Sequence, residues 1–244
     1  ALDDGMRHAI TKMATLHFVT NSDAQRRVRQ LDEDPARIFL TGSPGIDFIR
    51  NALLIPRERL ETELEFKFLA RNLVVTFHPS TANPGTAEVQ FHEVCAALLE
   101  LDRDQVGLFF TRANADTGGA VINRLIDKFV GIRPNTCSHP ALGTLSYLSL
   151  VAASDGVVGN SSSGLYEVPS LNKPTINIGD RQKGRLRASS VIDCAHERGA
   201  IKSALLRVLN GNYEIGVHPY GDGRSATRIA KVLIEYPLDS QHLI

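Results

Sequence analysis

The chain has 244 residues, 43% hydrophobic and 22% charged, with 27 basic and 27 acidic side chains that cancel to zero net charge. This length suits one large domain or two small ones, and the composition is that of an ordinary soluble globular protein. Balanced charge gives no long-range field for a bulk nucleic-acid or membrane-surface partner, although a single nucleotide in a local basic pocket stays open.

The N-terminal segment from Leu2 to Lys12 patterns as a helix whose Asp3 and Asp4 sit at the cap and first turn, where carboxylates are favoured. Leu16 to Val19 is a short buried strand, and Asn21-Ser22 caps a helix from Asp23 to Leu31. Arg37 to Leu40 is a second strand, so the alternation predicts parallel pairing. Asp47 to Leu69 is expected to be helical, reopened at Pro56, with the Arg/Glu run from Arg57 to Glu65 on a solvated face near a domain boundary.

A second α/β unit begins at Asn72. The run Leu73-Val74-Val75-Thr76-Phe77 suits a strand buried on both faces and ends in His78-Pro79. His78 is open to two readings, a capping or core histidine, or a ligand contact at a strand's carboxyl end. Thr86 to Leu101 is an amphipathic helix with Val89, Val94, Ala97, Leu98 and Leu101 near one face. The strand Gln105 to Thr111 ends in a polar tail containing Asn114, either an N-cap or a ligand contact. A helix from Gly119, a weak edge strand at Thr136-Cys137-Ser138 and a helix from Gly143 follow. Strands at Thr175–Ile178 and Val191–Cys194 and helices from Glu197 and Arg224 complete the pattern, about five strands and five helices from Asn72 onward. The fold class is therefore α/β, with one complete doubly wound, parallel-sheet domain and only two strands before it.

Cys95, Cys137 and Cys194 are widely spaced with no CxxC pair, which points to reduced thiols of a cytoplasmic protein. No metal-ligand spacing, membrane-length apolar run or signal peptide is evident.

The stretch from Gly159 to Arg187 organises the rest. Gly159-Asn160-Ser161-Ser162-Ser163-Gly164 is a turn that opens a helix, where unsatisfied N–H groups and the helix dipole favour an anion. Glu167, one turn further on, is too close to a phosphate to bind it and is better placed for a vicinal diol such as ribose. Asp180-Arg181-Gln182-Lys183-Gly184-Arg185 follows the next strand at its carboxyl end, where open α/β sheets bind ligands. The local physics describes a nucleotide, with phosphate on the turn and ribose on Glu167; the bland alternative is a capped helix and a solvated basic loop.

With these motifs stands Asp3-Asp4-x-x-Arg7-His8-Ala9-Ile10-Thr11-Lys12, along with Leu16-His17-Phe18, Phe77-His78-Pro79 and Asn177-Ile178-Gly179-Asp180-Arg181-Gln182-Lys183-Gly184-Arg185. Together they resemble the UDP-N-acetylglucosamine 2-epimerase family, closest to its hydrolysing branch, which supplies sugars for sialic-acid-type pathways. The resemblance implies a glycosyltransferase-B-like fold of two Rossmann-like domains. It gives residues 1–54 to a remnant of the first domain, 55–221 to a UDP-binding domain and 222–244 to a helix crossing back. It implies that His78, Asn114, Ser161, Ser162, Glu167 and Arg181 hold UDP, with the backbone of Leu142 on the uracil. Asp3, Asp4 and His78 are the implied catalytic residues.

The implied reaction eliminates UDP from a UDP-N-acetylhexosamine and hydrates the resulting glucal, without cofactor or metal, to release N-acetylmannosamine or a related sugar. The implied assembly is a homodimer or homotetramer with no nucleic-acid or membrane partner. The family's first-domain sheet, with a His-x-x-Glu-type motif, has no counterpart before Asp3. The expectation is thus a truncated chain that binds UDP and turns over poorly alone. Competing readings are a non-hydrolysing epimerase, a UDP-sugar glycosyltransferase and an inactive UDP-binding fragment.

Overall fold

The computed structural model describes residues 2–79, 85–113 and 118–237, with side chains from Asp4 onward. The chain forms two units, Ala1–Asn51 with His218–Ile244, and Ala52–Val217. The divisions expected from the sequence lie a few residues later in each case.

The first unit opens with α1 (Leu2–Met13), β1 (His17–Val19) and α2 (Ser22–Gln30). Asn21 caps α2 through Oδ1, which accepts from the Ala24 N–H at 2.9 Å. Then β2 (Ile38–Leu40) pairs with β1 in parallel, His17 opposite Ile38. After α3 (Pro44–Asn51) comes α4 (Arg57–Glu63), the first helix of the second unit. The helical stretch expected over Asp47–Leu69 and reopened at Pro56 is two short helices, the first beginning at Pro44 and the second ending at Glu63. Pro56 cannot continue the helix hydrogen bonding, and Glu65 at φ 50 turns the chain left-handed just past the end of α4. The charge run does face outward, with Arg59 bonded to Glu63, but Leu60 on the opposite side is fully buried.

The second unit continues through β3 (Arg71–Thr76), α5 (Ala87–Leu99), β4 (Val106–Thr111), α6 (Gly119–Ile132), β5 (Thr136–His139) and α7 (Gly143–Ala153). It ends with β6 (Gly156–Gly159), α8 (Ser163–Ser170), β7 (Thr175–Ile178), β8 (Val191–Cys194) and α9 (Arg198–Leu209). Six strands form one parallel sheet in the order β5-β4-β3-β6-β7-β8. The weak segment at Thr136 is a true edge strand paired with β4, and Gly156–Gly159, the apolar run leading into the Ser/Gly turn, brings the number to six.

Alternate side chains of the central strands bury on opposite faces. Leu73, Val75, Leu108, Phe110 and Val158 pack into one cluster with residues of α5, α6 and α9. Val74, Phe109 and Val157 pack into the other with Leu60, Leu150 and Val168. A sheet covered on both faces requires continuous apolar strands, the pattern the sequence shows. The α5 face differs from the expectation at one position: Val89 is 67% exposed, whereas Phe91, Val94, Ala97 and Leu98 are buried. At 3.6 residues per turn Val89 is about 200° from Phe91, so the buried stripe runs through Phe91 instead.

The chain leaves β3 toward β4 and β5, then returns to the opposite side of β3 for β6, β7 and β8. Connections therefore diverge between β3 and β6, and the crevice beyond the carboxyl ends of those two strands is the topological switch point. The last helix, α10 (Ser225–Glu235), belongs to the first unit and packs on α3. Its N-terminus is capped from far along the chain. Asp47 on α3 accepts from the N–H groups of Ser225 at 3.0 Å and Ala226 at 2.7 Å.

Candidate functional site

The crevice at the switch point is a cleft of about 410 Å³ lying wholly within the second unit. Its floor and walls come from the strand ends Thr76, Thr111 and His139, the start of α7 and the start of α8. Of the residues singled out from the sequence, His78, Leu142, Ser161 and Glu167 line it together. Ser162 is exposed at the start of α8, and its side chain makes no capping bond. Arg181, beyond the end of β7, donates from Nη1 to the Asn160 carbonyl at 3.1 Å. Asn114 lies outside the described residues. Asp3 and Asp4 fall in the first turn of α1, in the other unit, with the Asp3 side chain also outside the described set.

Local backbone chemistry brings these groups together. β6 ends at Gly159, which sits at φ 142 against β3; a Cβ there would stand 1.8 Å from the Thr76 carbonyl oxygen, so only glycine fits. The chain then turns into α8. Gly164 packs against Thr175 of β7, whose hydroxyl donates to the Gly164 carbonyl at 2.6 Å, and this seats the helix start on the sheet.

Glu167 is held one turn into α8 and faces the cleft. Among the described residues its Oε2 is buried and has no hydrogen-bond partner. A buried carboxylate oxygen without a donor is costly, so such an atom marks a place where a ligand donor belongs. Beside it lies a chain of hydroxyls. Thr76 and Thr111 share a hydrogen bond of 2.7 Å, and Tyr147 and Ser163 share one of 2.8 Å. Burial pushes the Tyr147 phenol up to about 12; the nearby Glu167 charge adds to the rise, and bonds to Ser163 and Thr76 oppose it. Tyr147 therefore remains a neutral hydrogen-bonding group at all ordinary pH.

Residues the sequence did not flag complete the site. His139 ends β5 with Nε2 buried, facing the cleft and unpartnered among the described residues. Arg112 lines the same wall and pairs with Asp127. Thr76 and Thr111 were findable as polar residues ending apolar strands. Tyr147 carried no signal, since it is one of several polar residues, with Thr144, Ser146 and Ser149, in the same helix. A second cleft of about 430 Å³ lies beyond the ends of β7 and β8, but its Arg187 and Asp193 neutralise each other at 2.8 Å.

A family model described as UDP-N-acetylglucosamine 2-epimerase matches residues 1–234. The chain belongs to that family. Among curated relatives, the GDP/UDP-N,N'-diacetylbacillosamine 2-epimerase (hydrolyzing) of Campylobacter jejuni is 39% identical over 199 residues, 79% of this chain and 50% of the relative. The UDP-N,N'-diacetylbacillosamine 2-epimerase (hydrolyzing) of Legionella pneumophila is 31% identical over 242 residues, 99% of this chain and 63% of the relative. The chain thus spans about half to 63% of the length of these relatives. Among solved structures, UDP-GlcNAc 2-epimerase from Neisseria meningitidis bound to UDP-GlcNAc superposes with a TM-score of 0.72 at 16% identity, covering 92% of this chain and 62% of that one. That likeness bears on fold alone, and the fold is the α/β, glycosyltransferase-B-like one that the sequence resemblance implied.

Proposed function

We propose that this chain supplies the UDP-holding part of a hydrolysing UDP-N-acetylhexosamine 2-epimerase. The observation that carries this reading is Glu167 Oε2, buried in a cleft at the switch point and unpartnered among the described residues. A ribose diol offers two donors to a carboxylate in that position. The hydrolyzing relatives at 39% and 31% identity support release of a free sugar over interconversion of bound ones. Their names also favour a 2,4-diacetamido sugar nucleotide as substrate over UDP-N-acetylglucosamine. The Neisseria neighbour, bound to UDP-GlcNAc, supports a UDP-sugar ligand.

In this reading Ser161, Ser162 and Arg181 receive the diphosphate at the start of α8, with His78 beside them, and Leu142 meets the uracil through its main chain. Negative charge grows on the diphosphate as the C1–O bond breaks, and donors already fixed in place stabilise it. A carboxylate takes the C2 proton in the same elimination, leaving a C1–C2 double bond. We assign that base to Asp3 or Asp4 on α1. Water then adds its oxygen at C1 and a proton returns to C2 on the opposite face, giving the inverted free sugar. Neither step draws on a cofactor.

Turnover is expected only with the remaining length that the relatives possess. A cytoplasmic setting, in which the three free thiols persist, and a homodimer or homotetramer complete the proposal. Among the described residues no helix is long and apolar enough to cross a membrane.

The deciding experiment gives the full-length protein UDP-N,N'-diacetylbacillosamine or UDP-N-acetylglucosamine and follows products by NMR. Equal amounts of UDP and free 2-epimerised sugar are expected. An epimerised UDP-sugar would assign a non-hydrolysing enzyme, and UDP release only with an added acceptor would assign a transferase.

A further inference from the structure

We propose that Asn160 is a positioning residue for the diphosphate, with two separable jobs: its side chain sets the backbone of His78, and its main-chain carbonyl anchors Arg181. The proposal rests on the UDP reading above and assigns to that site a residue the ligand itself need not touch.

Asn160 is 3% exposed and sits just past the end of β6. Its Nδ2–H donates to the His78 carbonyl at 2.8 Å, and its Oδ1 accepts from the His78 N–H at 2.8 Å. One amide thus satisfies both main-chain groups of a residue 82 positions away. The reason lies in how the ladder ends. β3 and β6 stay in register up to Thr76 opposite Gly159, and the Asn160 N–H still reaches the Thr76 carbonyl at 3.2 Å. Gly159, at φ 142, then turns the chain out of the sheet, and the β3–β6 register ends at Thr76, short of His78. The Asn160 side chain takes the place of that pairing.

The substitution is chemically narrow. The site needs one acceptor and one donor on a short planar group. Aspartate lacks the donor, serine cannot span both groups, and glutamine is one carbon too long. Meanwhile the Asn160 carbonyl accepts from Arg181 Nη1 at 3.1 Å and from the buried Gln182 Nε2 at 2.8 Å. The ends of β3, β6 and β7 are therefore tied at one residue. Two of those ties lead to the groups proposed to meet the phosphates, and neither leads to Glu167 or Leu142.

That asymmetry makes the test. Asn160→Ala removes the side-chain amide and keeps the carbonyl. Losing two buried hydrogen bonds at His78 is expected to weaken UDP binding by about 10- to 100-fold in calorimetry. Uridine, which lacks the diphosphate, is expected to stay within about twofold, the ordinary scatter of uncoupled changes. In a His78→Ala background Asn160→Ala adds little, whereas with Arg181→Ala the two losses multiply. Equal loss for UDP and uridine, or multiplication with His78→Ala, would overturn the proposal in favour of general disruption.

The clamp is also read without ligand, by hydrogen exchange at the His78 amide. It should accelerate at least about 10-fold in Asn160→Ala and stay slow in the isosteric Asn160→Asp, which keeps the acceptor and serves if the alanine variant folds poorly. An unchanged rate in Asn160→Ala, or acceleration in Asn160→Asp equal to that in Asn160→Ala, refutes the clamp. Failure of the wild type to bind UDP refutes the UDP reading instead, and leaves the exchange result to decide the clamp.

Discussion

Replacing Glu167 by alanine should move binding and stability in opposite directions, and this is the sharpest test of the ribose assignment. Without ligand, Glu167 Oε2 is buried beside the neutral Tyr147 with no donor among the described residues. Its removal takes away an unsatisfied polar atom, so the stability of the second unit should stay level or rise. With UDP, the same change deletes a charge-assisted pair of hydrogen bonds to the diol, on the order of 2–3 kcal/mol, or roughly 30- to 160-fold in Kd. Glu167→Gln keeps an acceptor and loses the charge, so it should fall between.

The assay is calorimetry with UDP and 2'-deoxy-UDP, alongside urea unfolding of each variant. The wild type should distinguish the two nucleotides and Glu167→Ala should not. If Glu167→Ala binds UDP as tightly as the wild type, or still discriminates against the deoxy ligand, Glu167 does not hold the ribose. A large drop in stability would show that Oε2 has a partner inside the protein and would remove the argument from the orphaned oxygen.

In the first unit, Asp47→Ala uncaps α10 and should cost about 1–2 kcal/mol, read as a lowered urea midpoint for that unit, with UDP affinity unchanged. Gly159→Ala should abolish soluble folded protein or UDP binding, because its Cβ collides with the Thr76 carbonyl; a variant with native spectra and affinity would contradict the close approach. Burial pushes the thiols of Cys95 and Cys137 up to about 12 and that of Cys194 to about 11, with nearby Asp193 and Glu197 adding to the latter. All three should resist alkylation at pH 8 until the protein unfolds, and rapid labelling of native protein would refute this. The same raised values mean that the unfolded chain gives up thiol protons first. Stability should therefore decline as pH climbs above the free-thiol range near 8.5, and replacing the three cysteines by alanine should flatten that decline.

Much of this protein is legible in one dimension. Apolar runs such as Leu73–Phe77 announce strands covered on both faces, because a parallel sheet has no solvated side. The β-α alternation from Asn72 onward implies a doubly wound sheet, and with it a cleft at the carboxyl ends of the strands. The Ser/Gly turn with Glu167 three to four residues on is legible as one local cluster, and Ser161, Ser163 and Glu167 do line one cleft, since residues one helical turn apart share a face.

Other features became visible only when distant segments met. Asn160 clamps His78 across 82 residues, and Asp47 caps a helix that begins at Ser225. Thr76, Thr111, Tyr147 and His139 converge on one cleft from four separate elements. In sequence the two threonines mark only strand ends, and Tyr147 and His139 mark nothing, because their convergence is fixed by strand order and register rather than by spacing along the chain. Val89 shows the same limit on a smaller scale: apolar character put it with the core, but only the rotation of α5 against the sheet decided that Phe91 faces inward instead. Local chemistry acts over a few residues and can be read from the chain; burial and the pairing of lone polar groups arise from the packing of the whole unit.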